Sequence, residues 1–335
     1  MASRQAIDVH AHVVPPAILD EAERSPRAFG GVEVRRGSEG PVLVFPGVEA
    51  LRPLRPPMLS VEQRPGWLAE RGMDVQIAGA WMDAVGDTLP AETQEAWSQR
   101  FNEAMAELAQ QSEGRLRMLA TLPLRRPAAA ARELERAVRE LGMVGAMIGS
   151  DVADVDLAAE ALDPLWEAAR SLAVPIVLHP TYTGPGAGLS PRNYVNLYGR
   201  TIDTTYCATR LIVAGLFDRH PDVTIVLVHG GGFLPYQAER LDTCFRAGDL
   251  GHVTLGRERP SAYLPCFCYD TALLTGPAAR MLVETVGPER VMLGTDYPFP
   301  IADGGAVGRL SGALADSALG PVLRGNAERI FRLAD

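Results

Sequence analysis

Residues 145–180 read GAMIGSDVADVDLAAEALDPLWEAARSLAVPIVLHP. At each end stands a short, unbroken apolar run, GAMIGS from Gly145 and PIVLHP from Pro175. A parallel strand buried on both faces has this character. Between them LDPLWEAARSLA places its apolar residues at helical intervals, with proline near the start, where a helix tolerates one. Strand, helix, strand is the unit of a parallel α/β fold. The unit recurs along the chain. Further strand-like runs are AIDVHAHVV from Ala6, DVQIAGAW from Asp74, LRMLATLPL from Leu116, TIVLVHGGG from Thr224, FCYDTAL from Phe267 and VMLGTDYPF from Val291. AETQEAWSQRFNEAMAELAQQ and PAAAARELERAVRELG are among the amphipathic stretches between them. Eight strands alternating with helices predict a (β/α)8 TIM barrel of the α/β class, one domain over residues 1–335. A doubly wound open sheet is the alternative, but no glycine-rich dinucleotide fingerprint follows the first strand. Residues 13–57 depart from the rhythm: GGVEVRRG and GPVLVFPG read as a small β-hairpin inserted after strand one, over the barrel mouth.

Composition narrows the partners. The 335 residues are 47% hydrophobic and 22% charged, with 41 acidic against 32 basic side chains and a net charge of −9. An acidic chain with a pI near 5.3 is poorly suited to nucleic acid or anionic lipid. No apolar run approaches the ~18 residues of a membrane helix. The start, MASRQAIDVH, has no apolar leader, and four cysteines without framework spacing fit a reducing cytoplasm. All 32 basic residues are arginine. Without lysine there is no Schiff-base aldolase, no lysine-held pyridoxal phosphate, no Walker P-loop and no two-metal centre bridged by a carboxylated lysine.

Histidine is scarce, and its positions carry the chemistry. In Asp8-Val9-His10-Ala11-His12 the two histidines stand at i and i+2 of a strand, so both imidazoles face one side. On its own the spacing is as readily two ordinary strand histidines. Four of the six histidines, however, sit at or near predicted strand ends: His10, His12, His179 and His229. Asp296 in MLGTDYPF adds a carboxylate at the end of the last strand. The C-terminal ends of barrel strands converge on one site, and three imidazoles with a carboxylate suit zinc or a similar first-row ion. His220 and His252 lack such placement and read as surface residues. Asp270 and Thr271, ending strand seven, are candidates to orient a ligand. Cys266 and Cys268 read as packed thiols, and Gly230-Gly231-Gly232 as backbone passing close to the pocket.

Together the HxH of strand one, the middle-strand His179, the HGGG segment, GTDYPF and the closing GNAERIF resemble the amidohydrolase superfamily. Within it the likeness is to the branch of aminocarboxymuconate semialdehyde decarboxylase and the non-oxidative aromatic acid decarboxylases, over nearly the whole chain. The resemblance implies a single divalent ion on His10, His12, His179 and Asp296, zinc by ligand type and manganese as the alternative. It implies that His229 is the acid/base that handles the metal-bound water, with Asp296 sharing proton transfer. It also implies that Arg52, which precedes a proline and lies some twenty residues before Gly72-Met73-Asp74, pairs with a substrate carboxylate. Arg240 matches a residue that reaches the neighbouring subunit's site, which makes a homodimer the expected state. Trp81, Tyr182 and Phe299 lie just beyond strand ends, placed to sandwich a planar substrate. The segments after His179 and His229 depart from the semialdehyde decarboxylase, which leaves the substrate open.

The expected activity is metal-dependent, non-oxidative decarboxylation of an unsaturated or aromatic carboxylic acid, a small-molecule partner. Hydrolysis of a lactone or amide by the same residues is the alternative, since one fold hosts both chemistries.

Overall fold

Each apolar run singled out above carries a strand in the structure, a computed structural model that describes residues 5–48, 52–152, 154–181, 184–189, 194–272 and 274–333. In chain order the strands are β1 (Ala6–Val13), β2 (Glu33–Gly37), β3 (Gly40–Val44), β4 (Met73–Ala80), β5 (Leu116–Met118), β6 (Ala146–Gly149), β7 (Ile176–His179), β8 (Ile225–Leu227), β9 (Phe267–Asp270) and β10 (Val291–Met292). All but β2 and β3 pair in parallel, in the ladders β1-β4-β5 and β6-β7-β8-β9-β10. Two seams join the ladders into a closed barrel. At one, Ala120 bridges to Ala146, with Met147 N–H donating to the Ala120 carbonyl at 3.0 Å. At the other, Val9 N–H donates to Leu293 O (2.9 Å), Asp296 N–H to His10 O (2.8 Å) and His12 N–H to Tyr297 O (2.7 Å). The last seam ties the first strand to the last and sets His10 beside Asp296.

Burial explains the strand composition. All eight residues of β1 are buried, including Asp8, His10 and His12. Strand alternation turns those three to one face and Val9, Ala11 and Val13 to the other, where helices cover them. Helix Pro127–Arg139 buries Ala129, Ala130, Leu134 and Ala137, a single stripe at helical spacing, and opens with Pro127 where no intrahelical donor is needed. Helix Asp163–Leu172 buries Leu165, Trp166, Ala168 and Ala169 and ends at Ala173 in the left-handed region, φ 51°. No helix among the described residues is long and apolar enough to cross a membrane.

The inserted segment opens with helix Pro16–Arg24, which the sequence reading did not anticipate, and then forms the antiparallel hairpin of β2 and β3. Glu33 pairs with Val44 and Gly37 with Gly40, leaving Ser38 and Glu39 as a two-residue turn. Gly40 has φ 126°, and a Cβ there would collide with the Leu54 carbonyl. The absent side chain lets the returning strand lie against the hairpin, with Leu54 N–H donating to Pro41 O at 2.8 Å. That contact brings Arg52 toward the barrel mouth.

One expectation fails here. His220 is not a surface residue: it is 6% exposed, and its Nε2 lies 2.9 Å from Asp163 Oδ1. The turn before β8 packs against the start of the helix that precedes β7, so the polar DRHPD segment is covered by tertiary contact. His252 is exposed, as expected, and the four cysteines are free, with Cys268 buried and Cys266 half-buried.

Helix Arg200–Val213 carries a buried acid at Asp203, whose Oδ1 accepts the Gly186 N–H at 2.6 Å. Burial pushes this carboxyl up to about 6, only partly offset by that hydrogen bond and by Arg200. A folded-state value above the unfolded one stabilises the fold below pH ~4 and stops doing so as pH rises past ~6. Asp203→Asn is therefore expected to raise the thermal midpoint relative to wild type at pH 8 and to leave it nearly unchanged at pH 4. Thermal scans at the two pH values check this; an equal shift at both would show that Asp203 acts through packing alone.

Candidate active site

Five side chains meet at the C-terminal mouth of the barrel. His10 and His12 come from β1, His179 ends β7, His229 follows β8, and Asp296 follows β10. One donor atom from each of His10, His179, His229 and Asp296 lies within 4.8 Å of the others. His12 joins them with its Nε2 3.1 Å from His10 Nε2 and 3.2 Å from Asp296 Oδ1. His229 Nε2 lies 3.6 Å from Asp296 Oδ2. His229 and Asp296 both occupy the left-handed region, at φ 54° and 63°. Non-glycine residues there cost on the order of 1 kcal/mol or more and cluster at functional sites.

The hydrogen bonds decide which nitrogen each ring offers. His12 Nδ1 lies 3.1 Å from the Ala80 carbonyl and His179 Nδ1 2.8 Å from the Pro180 carbonyl. A carbonyl only accepts, so both Nδ1 atoms carry the proton and both Nε2 atoms present lone pairs. His10 Nδ1 donates to Asp270 Oδ2 at 2.6 Å, so its Nε2 also faces the cluster. His179 Nε2 is buried without a hydrogen-bond partner among the described residues. Three ring nitrogens and a carboxylate therefore converge on one cluster. The residues fit a divalent metal ion: nitrogen and oxygen donors, each ring oriented from behind by a second hydrogen bond.

Charge in the cluster follows the same logic. Burial pulls His10 down, but the negative charges of Asp296, Asp270 and Asp8 outweigh it and carry the ring up to about 9. Burial lowers His12, and burial with the neighbouring rings holds His179 well below its usual range. Burial works against ionised Asp296, yet His10, His12 and His229 keep it well below the usual carboxylate range.

Asp270, named from sequence as a ligand-orienting candidate, does more than touch His10. Its Oδ1 accepts from Gly230 N–H (3.2 Å) and Ala272 N–H (3.1 Å), so one carboxylate ties His10 to the HGGG turn. The glycines of that turn are needed: a Cβ on Gly232 would run into the Thr201 carbonyl. Asp270→Asn is expected to weaken divalent-metal affinity about 10- to 100-fold while the protein stays folded. Competition with a chelator of known affinity measures this, and unchanged affinity would show that Asp270 only braces the turn.

The sequence reading missed a buried network beneath the histidines. Asp8 Oδ1 accepts from His10 N–H (3.1 Å) and Thr295 N–H (2.9 Å), and Oδ2 accepts from Thr295 Oγ1 (2.6 Å) and Gln76 Nε2 (2.8 Å). Arg64 donates to Gln76 Oε1 at 2.7 Å and to His12 O at 2.5 Å. Burial raises Asp8 to about 6, opposed by its hydrogen bonds from Thr295, Gln76 and His10. The i−2 position of Asp8 on the strand was the available signal; Arg64 gave none.

A cavity of about 710 Å³ opens over the cluster, with Arg52, Trp81, Arg200, His229, Asp296 and Phe299 on its walls. The Arg52 guanidinium lies 5.7 Å from the Trp81 ring centre and 5.9 Å from that of Phe299, within cation–π range. A second cavity of about 550 Å³ shares these three residues and runs under the hairpin to Glu39. Tyr182 lies outside the described residues. Arg240 is exposed on helix Ala238–Ala247 and does not line the cavity of its own chain. Arg200 and Asn196 do line it and were not anticipated, because the long segment after β7 gave no hint of where it folds.

A family model described as amidohydrolase matches residues 7–333. Gamma-resorcylate decarboxylase from Polaromonas sp. (strain JS666) is 29% identical over 84% of this chain and 90% of its own. 2-Amino-3-carboxymuconate-6-semialdehyde decarboxylase from Dictyostelium discoideum is 29% identical over 62% of this chain and 57% of its own, so the match spans little more than half of that relative. Among solved structures, 5-carboxyvanillate decarboxylase from Sphingomonas paucimobilis superposes with a TM-score of 0.83 at 26% identity, over 99% of this chain and 100% of its own. The 5-carboxyvanillate decarboxylase from Novosphingobium aromaticivorans, solved with manganese, shares the fold at a TM-score of 0.81 and 23% identity, over 99% and 97% of the two chains.

Proposed function

The chain belongs to the amidohydrolase family, and on that premise we propose that it is a metal-dependent carboxy-lyase that removes carbon dioxide, without oxidation, from an aromatic or unsaturated carboxylic acid. The observation that carries the reading is the set of three buried rings, each anchored through Nδ1, with Asp296 beside the Nε2 atoms of His10 and His12.

His10, His12, His179 and Asp296 would hold one divalent ion, zinc or manganese. Bound there, the ion supplies Lewis acidity to the substrate oxygens facing it. Arg52 pairs a substrate carboxylate through its planar fork, and Trp81 and Phe299 flank the ring. His229 delivers a proton to the ring carbon that bears the leaving carboxylate, and Asp296, 3.6 Å from its Nε2, steadies the ring as the proton moves. The carbon–carbon bond breaks, its electron pair stays on the ring carbon and takes that proton, and carbon dioxide departs. Burial of the cluster keeps bulk water from competing for the proton.

The assembly we propose is a homodimer. Tyr194, Leu197, Tyr198, Tyr206 and Phe233 are large apolar side chains left exposed, and Leu197 also lines the cavity, apolar surface of the kind that subunits cover. Arg240, exposed on the helix that follows, would then serve the partner's cavity.

The test of the activity uses protein stripped with chelator and reloaded with manganese or zinc. Salicylate-like and muconate-like acids carrying a ¹³C-labelled carboxyl are supplied, and the label is followed. Release as carbon dioxide, dependent on the ion, is the expected result. Label retained throughout, with metal-dependent opening of lactones instead, would replace the decarboxylase with a hydrolase.

A further inference from the structure

The buried network beneath the histidines closes on itself. The register of β1 on β4 sets Asp8 against Gln76, and Gln76 Nε2 donates to Asp8 Oδ2 at 2.8 Å. Gln76 Oε1 accepts from Arg64 at 2.7 Å, so one amide bridges a carboxylate and a guanidinium. Arg64 lies over the Tyr297 ring, 4.9 Å from its centre. Tyr297 N–H donates to Thr295 Oγ1 (3.3 Å), and Thr295 Oγ1 donates to Asp8 Oδ2 (2.6 Å), which completes the circuit.

Three residues of the cluster are held by this circuit through their backbone. Asp8 Oδ1 accepts the His10 N–H at 3.1 Å, and Arg64 Nη2 donates to the His12 carbonyl at 2.5 Å. Asp296, in the left-handed region at φ 63°, stands between Thr295 and Tyr297, which both belong to the circuit. Arg64 is its costly member. It is 3% exposed, and its hydrogen-bond acceptors are neutral: Gln76 Oε1 and the carbonyls of His12, Pro57 and Ser60. A buried charge with no carboxylate against it is a poor stabiliser, because neutral acceptors return little of the desolvation cost. What the planar fork does supply is geometry, since it reaches β1, β4 and the end of the inserted segment at once.

We propose that Arg64 is a positioning residue of the metal centre. Through Gln76 and Asp8 on one side and Tyr297 on the other, it spaces His10, His12 and Asp296 so that one divalent ion can take all three. The Nδ1 hydrogen bonds set which way each imidazole faces; the circuit sets where its backbone stands. This rests on the reading of the cluster as a metal centre, whichever reaction that centre serves.

The test reads cobalt(II), which binds nitrogen and oxygen donors and reports their arrangement in its visible absorption. Chelator-stripped wild type, Arg64→Met, Arg64→Lys, Gln76→Met and Leu134→Ala are titrated with cobalt(II) against a competitor of known affinity. Arg64→Met is expected to bind about 10- to 100-fold more weakly and with an altered spectrum. Arg64→Lys restores the charge without the fork and should recover only part of that loss. Gln76→Met, which keeps the volume of the bridge and breaks both of its bonds, should alter the spectrum as well. Leu134→Ala, in the buried stripe of helix Pro127–Arg139, is the control for general loosening. It should lower the thermal midpoint and leave the spectrum as in wild type. Wild-type affinity and spectrum in folded Arg64→Met overturn the inference and leave Arg64 as a brace of the inserted segment. If Arg64→Met does not fold, the same result in Gln76→Met overturns it. So does full recovery in Arg64→Lys, or a spectrum in Leu134→Ala shifted as far as the others. Wild type that binds no cobalt(II) overturns the metal centre and the inference together, whereas equal binding by all five proteins overturns the inference alone.

Discussion

His179→Ala is expected to purify as a folded barrel with less than about a tenth of an ion per chain and turnover reduced on the order of 10³-fold or more. His179 is buried, ends β7, and directs its unpartnered Nε2 at the other rings. Removing it leaves His10, His12 and Asp296, a donor set open on the side facing β7. Far-UV circular dichroism and a thermal midpoint close to wild type would separate lost metal from lost fold. Elemental analysis before and after chelation supplies the count, with about one ion per chain in wild type. His252→Ala, at an exposed loop position, is the control and should change neither number. Retention of a full ion in His179→Ala would remove this ring from the ligand set.

The second large effect is expected at His229. His229→Asn should lower kcat about 10²- to 10⁴-fold, the usual contribution of a positioned acid or base, while the protein still holds about one ion per chain. Asparagine is the right replacement because His229 has φ 54°, and asparagine tolerates the left-handed region where alanine would add strain. Metal content is the decisive companion measurement. The His229 ring has a donor atom within 4.8 Å of those of His10, His179 and Asp296, close enough to compete for a coordination position. Loss of metal together with activity would make His229 a ligand and leave the proton without a carrier in the proposed chemistry.

Residues whose role depends on their own strand were readable before the structure. The i, i+2 pair in β1 faces one side whatever surrounds it, and the apolar runs at Pro175 and Thr224 are strands because a doubly buried strand has little other composition to choose from. His10, His12, His179, His229 and Asp296 were accordingly placed by position along their strands. Residues whose role depends on a distant segment were not readable. Arg64 reaches His12 O and Gln76 from a short helix, and nothing near Arg64 marks it among 32 arginines. Arg200 enters the cavity because its helix begins beside Pro180, a meeting set by the path of the segment after β7. His220 was misread for the same reason, since a polar turn looks exposed until a helix is found against it.

The seam between β1 and β10 has a consequence for the order of events in synthesis. His10 lies near the beginning of the chain and Asp296 close to its end, and the Asp296 N–H to His10 O bond brings them side by side. An emerging polypeptide therefore passes most of its length through the ribosome before the carboxylate that completes the cluster exists. A fragment that ends before Asp296 lacks the carboxylate of the proposed donor set. Shortening the chain by the span after β9 would leave every histidine and remove Asp296.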